Sequence, residues 1–284
     1  MRWSPRGRSS NLEDQRGGSR ARGPGLGGLG LGGVVLVVII ALVTKQDPLT
    51  LINALEGSGT VASAPGVAVA DSAEEQTVQF VSVVLDDAQA MWGEMVPAQG
   101  GRWEDAKLVL FRDQVQSACG FAQAASGPFY CSGDQKVYID LGFYDELDTK
   151  FGAPGDFAEA YVLAHEIGHH VQAILGTNAR VQEQQARQPS KANALSVRLE
   201  LQADCYAGVW GHVAAKAGRL EAGDVEEGLQ AAASVGDDRL QRMSQGTVHP
   251  ESWTHGSSEQ RTAWFRRGFD SGEMAACDTF SSSR

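Results

Sequence analysis

Apolar side chains return every three or four positions along several stretches of the chain, a spacing that predicts amphipathic helices. The two longest candidates run from Asp156 to Leu175 and from Ser190 to Ala217, and a glycine follows each of them. Shorter helices are predicted over 74–92, 224–243 and 257–269. At the start of the first long helix, Asp156 as N-cap with Glu159 three residues later indicates a capping box.

Two short segments, Leu108–Phe111 and Val137–Leu141, are rich in β-forming residues and are predicted to be strands. The Gln/Arg-rich stretch 182–188 is predicted to be a connection between the two long helices. The order of elements is therefore one helix, then strands, then mostly helices. This order predicts an α+β domain that is mostly helical with a small sheet.

An uncharged, apolar run of nineteen residues, Gly25–Val43, follows a basic N-terminal segment. A helix that spans a bilayer needs about 20 such residues. Residues 1–24 hold six Arg against two acidic residues, and the positive-inside rule places such a flank in the cytoplasm. A cleaved signal peptide is the alternative, but Thr44-Lys45-Gln46 offers no small-residue cleavage site.

These features predict four segments and a location. They are a disordered basic cytoplasmic tail (1–24), one transmembrane helix (25–43), a linker (44–74) and an extracytoplasmic domain (75–284). The chain would then be a single-pass protein of the cell membrane, with the lipid bilayer as one partner.

Composition and charge narrow the possible partners of the domain. Apolar residues make up 42 % of the chain and charged residues 21 %, as is ordinary for a globular protein. The net charge is −11, and because residues 1–24 carry +4, the rest of the chain carries −15. Binding of nucleic acid needs clustered Lys and Arg, so this acidic body excludes nucleic acid as the main partner.

The sequence His165-Glu166-Ile167-Gly168-His169 lies inside the first long helix. Positions i and i+4 of a helix share one face, so the two imidazoles can bind one Zn²⁺. Glu166 lies beside the metal position, where this motif places a general base. Catalytic zinc usually has three protein ligands. Glu200 and Asp204, again i and i+4, offer the third: one of them can bind the metal while the other orients a histidine.

Four cysteines follow the apolar run, outside the membrane on the predicted topology, and indicate two disulfides. Cys119 and Cys131 are twelve positions apart across a predicted turn and form the natural local pair, which leaves Cys205 with Cys277. Four cysteines allow three pairings, and only the fold decides among them. A Cys₄ zinc site is the alternative, although the chain has no C-x-x-C motif.

The chain resembles the putative neutral zinc metallopeptidase family of bacterial single-span membrane proteins with an HEIGHH motif. The resemblance is carried by 117–120, 127–131, 137–141, 165–172, 198–210 and 250–269. It implies a zincin-like metallopeptidase fold with one Zn²⁺ per chain, and a peptide or protein substrate. It further implies that Glu200 is the third ligand and that Asp204 orients a liganding histidine.

His255 lies in a polar loop, 249–256, that belongs to one of the resembling blocks. A loop of this kind can bring an imidazole to a metal cleft, where it stabilises a developing oxyanion. His170 is rotated about 100° from His169 around the helix and is predicted to pack rather than bind metal.

These residues predict hydrolysis of a peptide bond by a zinc-activated water, with Glu166 as general base and His255 beside the oxyanion. One alternative is a non-catalytic membrane-tethered binding module with a structural or vestigial zinc site. Glu166 distinguishes the two, because a structural zinc site needs no base beside its ligands. A small-molecule metallohydrolase is a third possibility that the ligands alone leave open.

Overall fold

A four-stranded mixed sheet forms one layer of the protein in the computed structural model, which describes residues 1–17, 72–123 and 127–281. Numbered in chain order, its strands lie in the spatial order β1 (Leu12–Asp14), β2 (Lys107–Phe111), β6 (Lys136–Asp140), β5 (Phe129–Cys131). β2 pairs in parallel with β1 and with β6, whereas β5 runs antiparallel to β6. Both predicted strands are thus confirmed and form the centre of the sheet. The edge strands are short and lack a clear pattern of their own.

Two disulfides join separate elements of the fold. A hairpin of β3 (Gln114–Ser117) and β4 (Gly120–Gln123) is joined to the end of β5 by the Cys119–Cys131 bond. The Cys205–Cys277 bond joins the second long helix to the C-terminal region. Both predicted pairs are confirmed. Because they use all four cysteines of the chain, the alternative of a Cys₄ zinc site is wrong.

Helices make up most of the remaining described chain, so the fold is α+β, as predicted. They are α1 (Ser72–Met95), α2 (Gly142–Thr149), α3 (Asp156–Ile174), α4 (Thr177–Arg187), α5 (Ala192–Lys216), α6 (Asp224–Ser234), α7 (Asp237–Gln245) and α8 (Ser258–Ser271). The sheet and the helices share one apolar core, to which Trp92, Leu108, Ile139, Ile167 and Phe265 contribute fully buried side chains.

Glycines allow α5 to approach both α3 and α8 closely. A Cβ at Gly168 on α3 would lie 3.1 Å from the carbonyl oxygen of Ala203 on α5. On the other side of α5, a Cβ at Gly208 would collide with the Phe265 carbonyl, and one at Gly268 with the Cys205 carbonyl. Backbone therefore packs on backbone at both contacts, which brings side chains of α3, α5 and α8 into one cluster.

The start of α3 differs from the predicted capping box. The N-cap is Gly155, at φ 112°, which has no side chain to accept a hydrogen bond from the first turn of the helix. Asp156 lies inside the helix and accepts a hydrogen bond from the Met1 nitrogen. The Phe157 N–H instead donates to Glu227 on α6, 3.2 Å away. A carboxylate from a distant part of the chain thus takes the place of a local cap, which local spacing alone does not predict.

Two other predicted boundaries are wrong for local reasons. The segment 224–243 is two helices, α6 and α7, separated at Val235-Gly236, because Gly236 adopts an extended conformation as the N-cap of α7. The stretch 182–188 belongs largely to helix α4, where Val181 is buried against neighbouring helices while the polar side chains face solvent. Ser257 and Gln260 do form a capping box, at the start of α8.

The N-terminal residues 1–17 are ordered, so the prediction of a disordered tail is wrong for this part of residues 1–24. Residues 1–16 belong to the same compact unit as residues 71–284. Strand β1 lies beside β2, and the Trp3 ring packs on Phe80 of α1 with ring centroids 5.3 Å apart. Tertiary contacts rather than composition therefore determine that this segment is ordered.

The predicted transmembrane helix at 25–43 and most of the linker at 44–74 lie outside the described residues. Among the helices of the described ranges, none combines the length and the hydropathy required to cross a bilayer.

Candidate metal centre

Two imidazoles and a carboxylate meet where α3 packs against α5. His165 Nε2 lies 3.2 Å from one carboxylate oxygen of Glu200, and His169 Nε2 lies 3.5 Å from the other. One ligand atom from each of the three residues lies within 4.8 Å of the other two. Two nitrogens and one oxygen, offered from one face of each helix, match the donor set of a catalytic zinc site. The three predicted ligands therefore form a candidate metal centre.

The second nitrogen of each histidine is held by a hydrogen-bond acceptor. His165 Nδ1 lies 2.8 Å from Asp204 Oδ1, and His169 Nδ1 lies 2.9 Å from Gln172 Oε1. When Nδ1 is the donor in both cases, the lone pair of each Nε2 points toward Glu200. This is the usual arrangement of metal-binding histidines, in which an acceptor fixes the tautomer and the orientation of the ring. Asp204 thus lies at Nδ1 of the His165 ring, whereas Glu200 lies at Nε2.

Asp204 is the centre of a buried network that joins three helices. Its carboxylate accepts two hydrogen bonds from Arg261 of α8, both 2.8 Å long, and one of 2.5 Å from the Tyr161 hydroxyl of α3. The Asp204 side chain is fully buried, and that of Arg261 is only 5 % exposed. Because the two bonds from Arg261 form a bidentate pair, they fix both the position and the plane of the carboxylate.

Sequence reasoning missed Arg261 and Tyr161, although a signal for Arg261 is present. Arg261, Phe265 and Gly268 occupy positions i, i+4 and i+7 of α8, and all three are buried. An arginine on the apolar face of a helix requires a buried acceptor, because an unpaired buried charge is costly. The position of Arg261 on the apolar face therefore predicts a buried hydrogen-bond acceptor, but it does not identify Asp204 as that acceptor.

The charges of the centre favour a cation between the histidines. Burial alone would raise the pKa of Glu200, but His169 and His165 hold it well below its ordinary value. Burial would likewise raise the pKa of Asp204, yet Arg261 and His165 lower it to about 2. Burial would lower the pKa of His165, whereas Asp204 and Glu200 raise it to about 10. Two ionised carboxylates beside the imidazoles therefore stabilise a positive charge at this position.

Glu166 lies beside the three ligands and is 7 % exposed. Burial raises the pKa of its carboxyl, and the neighbouring His165 and His169 partly oppose that increase. A carboxylate with a raised pKa is a better proton acceptor than a solvated one, which suits a general base.

The centre opens into a cavity of about 660 Å³. One wall carries His165, Glu166, His169 and Glu200, with His255 and Arg261 from the C-terminal region. Other lining residues come from β5, from α2 and the segment after it, and from α4: Phe129, Tyr130, Phe143, Phe151, Asn178 and Gln182. The cavity is large enough for several residues of an extended peptide and combines apolar surface with a few polar groups.

His255 reaches the cavity from the loop before α8. Its Nδ1 lies 3.1 Å from Asp237 Oδ1, and its side chain is half-exposed. Asp237 also accepts hydrogen bonds from the backbone N–H groups of Thr254, His255 and Gly256, so it holds the whole loop. The hydrogen bond to Asp237, opposed in part by burial, raises the pKa of His255. The imidazole can therefore present a positively charged or donating Nε2 to the cavity.

Strand β5 forms the cavity wall at an edge of the sheet. The strand predicted over 137–141 is the interior strand β6, paired on both sides, so neither of its edges can pair with a peptide. The edge strand beside the cavity is instead Phe129–Cys131. His170 holds it there: the His170 Nδ1 lies 3.0 Å from the Tyr130 hydroxyl, and its Nε2 lies 2.7 Å from the Glu104 carbonyl oxygen. His170 thus packs and positions, as predicted, and does not join the ligands.

Comparison with known proteins is consistent with this centre. The chain is 46 % identical over 290 residues to the uncharacterized protein YpfJ of Escherichia coli K12, with complete coverage of both chains. It is 42 % identical over 207 residues to the uncharacterized protein Rv2575 of Mycobacterium tuberculosis H37Rv, over 69 % of this chain and 68 % of the relative. No solved structure matches it significantly. The family model described as "Putative neutral zinc metallopeptidase" matches residues 1–280, and the chain therefore belongs to that family.

Proposed function

We propose that the protein is a zinc-dependent peptidase with a zincin-like active site. The observation that carries this proposal is the meeting of His165, His169 and Glu200 at one end of a cavity whose wall also holds Glu166. A site that only stabilises the fold needs ligands but no buried base beside them. Membership of the family supports the same reaction class.

The residues at the centre fit zinc. Imidazole nitrogen and carboxylate oxygen are common zinc donors, and three of them leave a position open for water or substrate. The acceptors behind the ligands, Asp204 and Gln172, hold both imidazoles with Nε2 toward the metal position. When bound there, zinc supplies Lewis-acid polarisation of a carbonyl and lowers the pKa of water.

The chain's own groups provide the proton transfers and the orientation. Glu166 takes a proton from the attacking water and delivers it to the leaving amine. His255, held by Asp237, donates a hydrogen bond to the oxyanion that develops on the scissile carbonyl. An extended peptide pairs with the edge of β5 that no other described strand occupies, so that its backbone lies between this strand and α3.

Glu166→Gln in the full-length protein is the central experiment. The amide keeps the size of the side chain and removes its basicity, so we expect peptide cleavage to fall by about 10²–10⁴-fold. Zinc content, measured by elemental analysis, should stay near one ion per chain, because Glu166 is not a ligand. Glu200→Gln should instead lower both zinc content and cleavage, since a neutral amide is a poorer ligand.

A peptide library digested by the purified protein, with and without chelator, provides the activity measurement by mass spectrometry. Glu146→Gln is a control, because Glu146 is an exposed glutamate at the rim of the same cavity. If Glu166→Gln cleaved peptides as fast as the wild type, Glu166 would not be the general base. Zinc binding without cleavage of any peptide by the wild type would favour the non-catalytic binding module.

We also propose that the apolar run 25–43 attaches the protein to a lipid bilayer. Its support is the nineteen uncharged residues, which lie outside the described ranges.

A further inference from the structure

The N-terminal segment 1–16 is part of the folded unit that carries the candidate metal centre, and this limits how the chain meets a membrane. Leu12, Glu13 and Asp14 pair in register with Leu108, Val109 and Leu110 of β2. Backbone hydrogen bonds extend the pairing on both sides, from Leu108 N to Asn11 O and from Gln15 N to Leu110 O, each 2.8 Å long. The strand is therefore an integral part of the sheet.

Side chains on both sides of β1 strengthen the attachment. Glu13 forms an ion pair with Lys136 of β6, at 2.7 Å. The Ser9 hydroxyl donates to Asp86 of α1 at 2.5 Å, and Ser9 is buried. Nearer the start of the segment, the Trp3 ring packs on Phe80, and the Arg2 N–H donates to the Arg219 carbonyl oxygen. The whole length of 1–16 thus contacts the domain.

The arginines that suggested a cytoplasmic tail are used in these contacts. Of the six in residues 1–24, four lie in the described part, and each forms an ion pair. Arg6 pairs with Asp87, and Arg8 and Arg16 pair with Glu75 and Glu74 of α1. The acidic partners belong to the folded domain, so the paired arginines lie on the same side of a bilayer as the domain. Arg20 and Arg22 precede the apolar run, and Lys45 follows it.

A single crossing by the chain between residues 17 and 71 would put β1 and β2 on opposite sides of the bilayer, where they cannot pair. Two crossings would need a second apolar run of about 20 residues. Between Lys45 and Asp71 the longest uncharged stretch is Gly57–Ala70, with fourteen residues. Residues 17–71 therefore hold one run long enough to cross and no second run for the return.

We infer that residues 1–16 and the domain lie on the same side of the membrane, and that the run 25–43 attaches to the bilayer from that side without carrying the chain across. This inference replaces the predicted topology of a cytoplasmic N-terminus and an extracytoplasmic domain. It is independent of the proposed peptidase activity, because no metal ligand takes part in it.

Thiol labelling of the full-length protein in spheroplasts tests the inference directly. The four native cysteines are all in disulfides, so Ser10→Cys and Met243→Cys each introduce one free thiol. Both positions are exposed, one beside β1 and the other on α7. A maleimide that does not cross membranes should label both variants, or neither until detergent is added. Labelling of one with protection of the other would overturn the inference.

A charge exchange across the sheet gives a second measurement that does not depend on membrane preparation. Glu13→Lys and Lys136→Glu should each lower the Tm of the full-length protein by roughly 2–4 °C, and the double exchange should recover most of that loss. Lys150→Glu, which affects the exposed pair with Glu146, is the control and should leave Tm nearly unchanged. Additive losses in the double exchange, or no effect of Glu13→Lys, would mean that β1 is not docked in the protein as it exists.

Discussion

Replacement of Arg261 by methionine tests whether the buried network around Asp204 holds the metal centre together. Arg261 donates two of the hydrogen bonds to this carboxylate, through Nε and Nη2. Its Nη1 donates a third to the Val235 carbonyl oxygen, 3.2 Å away. Methionine fills a similar volume without charge. Asp204 would remain buried with only His165 and Tyr161 as partners.

The expected loss is large because one member of a buried ion pair is removed. Breaking such a pair costs about 3–5 kcal/mol, most of it from the charge left without compensation. For a domain of this size each kcal/mol corresponds to about 2–4 °C in Tm, so Tm should fall by roughly 6–20 °C. The control is Arg266→Met, an exposed arginine on the same helix, which should change stability by about 0.5 kcal/mol or less.

A second substitution distinguishes loss of charge balance from loss of packing. In the double variant Arg261→Met with Asp204→Asn, no unpaired charge remains, so the loss should be smaller than the sum of the two single losses by about 1–3 kcal/mol. Zinc affinity should behave differently from stability. Because Asp204 orients His165, Asp204→Asn should weaken zinc binding by about 10–100-fold, with or without Arg261.

Thermal unfolding followed by circular dichroism, in the presence of chelator, measures these stabilities without a contribution from bound metal. Competition with a chromophoric chelator measures the zinc affinity. If Arg261→Met unfolds within about 1 kcal/mol of the wild type, the Arg261–Asp204 pair does not stabilise the fold. If Asp204→Asn binds zinc as tightly as the wild type, Asp204 does not orient the ligand.

Glu159 and Asn178 offer two smaller perturbations. Burial, followed by repulsion from Asp156 and Asp145, raises the pKa of Glu159 from 4.5 to about 7. The folded state then holds this proton more tightly than the unfolded state, so stability falls as pH rises between these two values. Urea titration should show that Glu159→Gln stabilises the protein by about 1–3 kcal/mol at pH 8 and by almost nothing at pH 4; equal effects at both pH values would contradict this. Asn178 lines the cavity, and no described residue hydrogen-bonds its buried Oδ1, so we expect it to accept from a substrate N–H. Asn178→Ala should raise the KM for peptide cleavage by about 2–10-fold with little change in kcat, and an unchanged KM would remove it from the binding site.

The two pairs of residues at the candidate metal centre could be predicted from the sequence because the spacing within each pair is local. His165 and His169 share a face of α3, and Glu200 and Asp204 share a face of α5, for the same reason of helical spacing. The long helices themselves follow from apolar periodicity and from the glycines that follow them. The contact between the two helices had to come from the fold, and the short residues Gly168 and Ala203 at that contact are its physical basis.

The elements that were missed are those fixed by distant partners. β1 has three residues, Leu12–Asp14, with no alternation that indicates a strand, and it is ordered because β2 offers a free edge. The N-terminus of α3 is capped by Glu227, which lies 70 residues away in the sequence. Interactions of this kind leave no local pattern, so neither helical spacing nor capping rules can find them.

The contact of α8 with α5 links the stability of the fold to the geometry of the metal centre. Gly208 and Gly268 bring the two backbones together, and only at that separation can Arg261 reach Asp204 with two short hydrogen bonds. Asp204 in turn fixes the ring of His165. The Cys205–Cys277 bond attaches the residue after Asp204 to the segment that follows α8. A side chain at Gly268 would therefore move Arg261 away from Asp204 and release His165, although the glycine itself contacts neither the ligands nor the cavity.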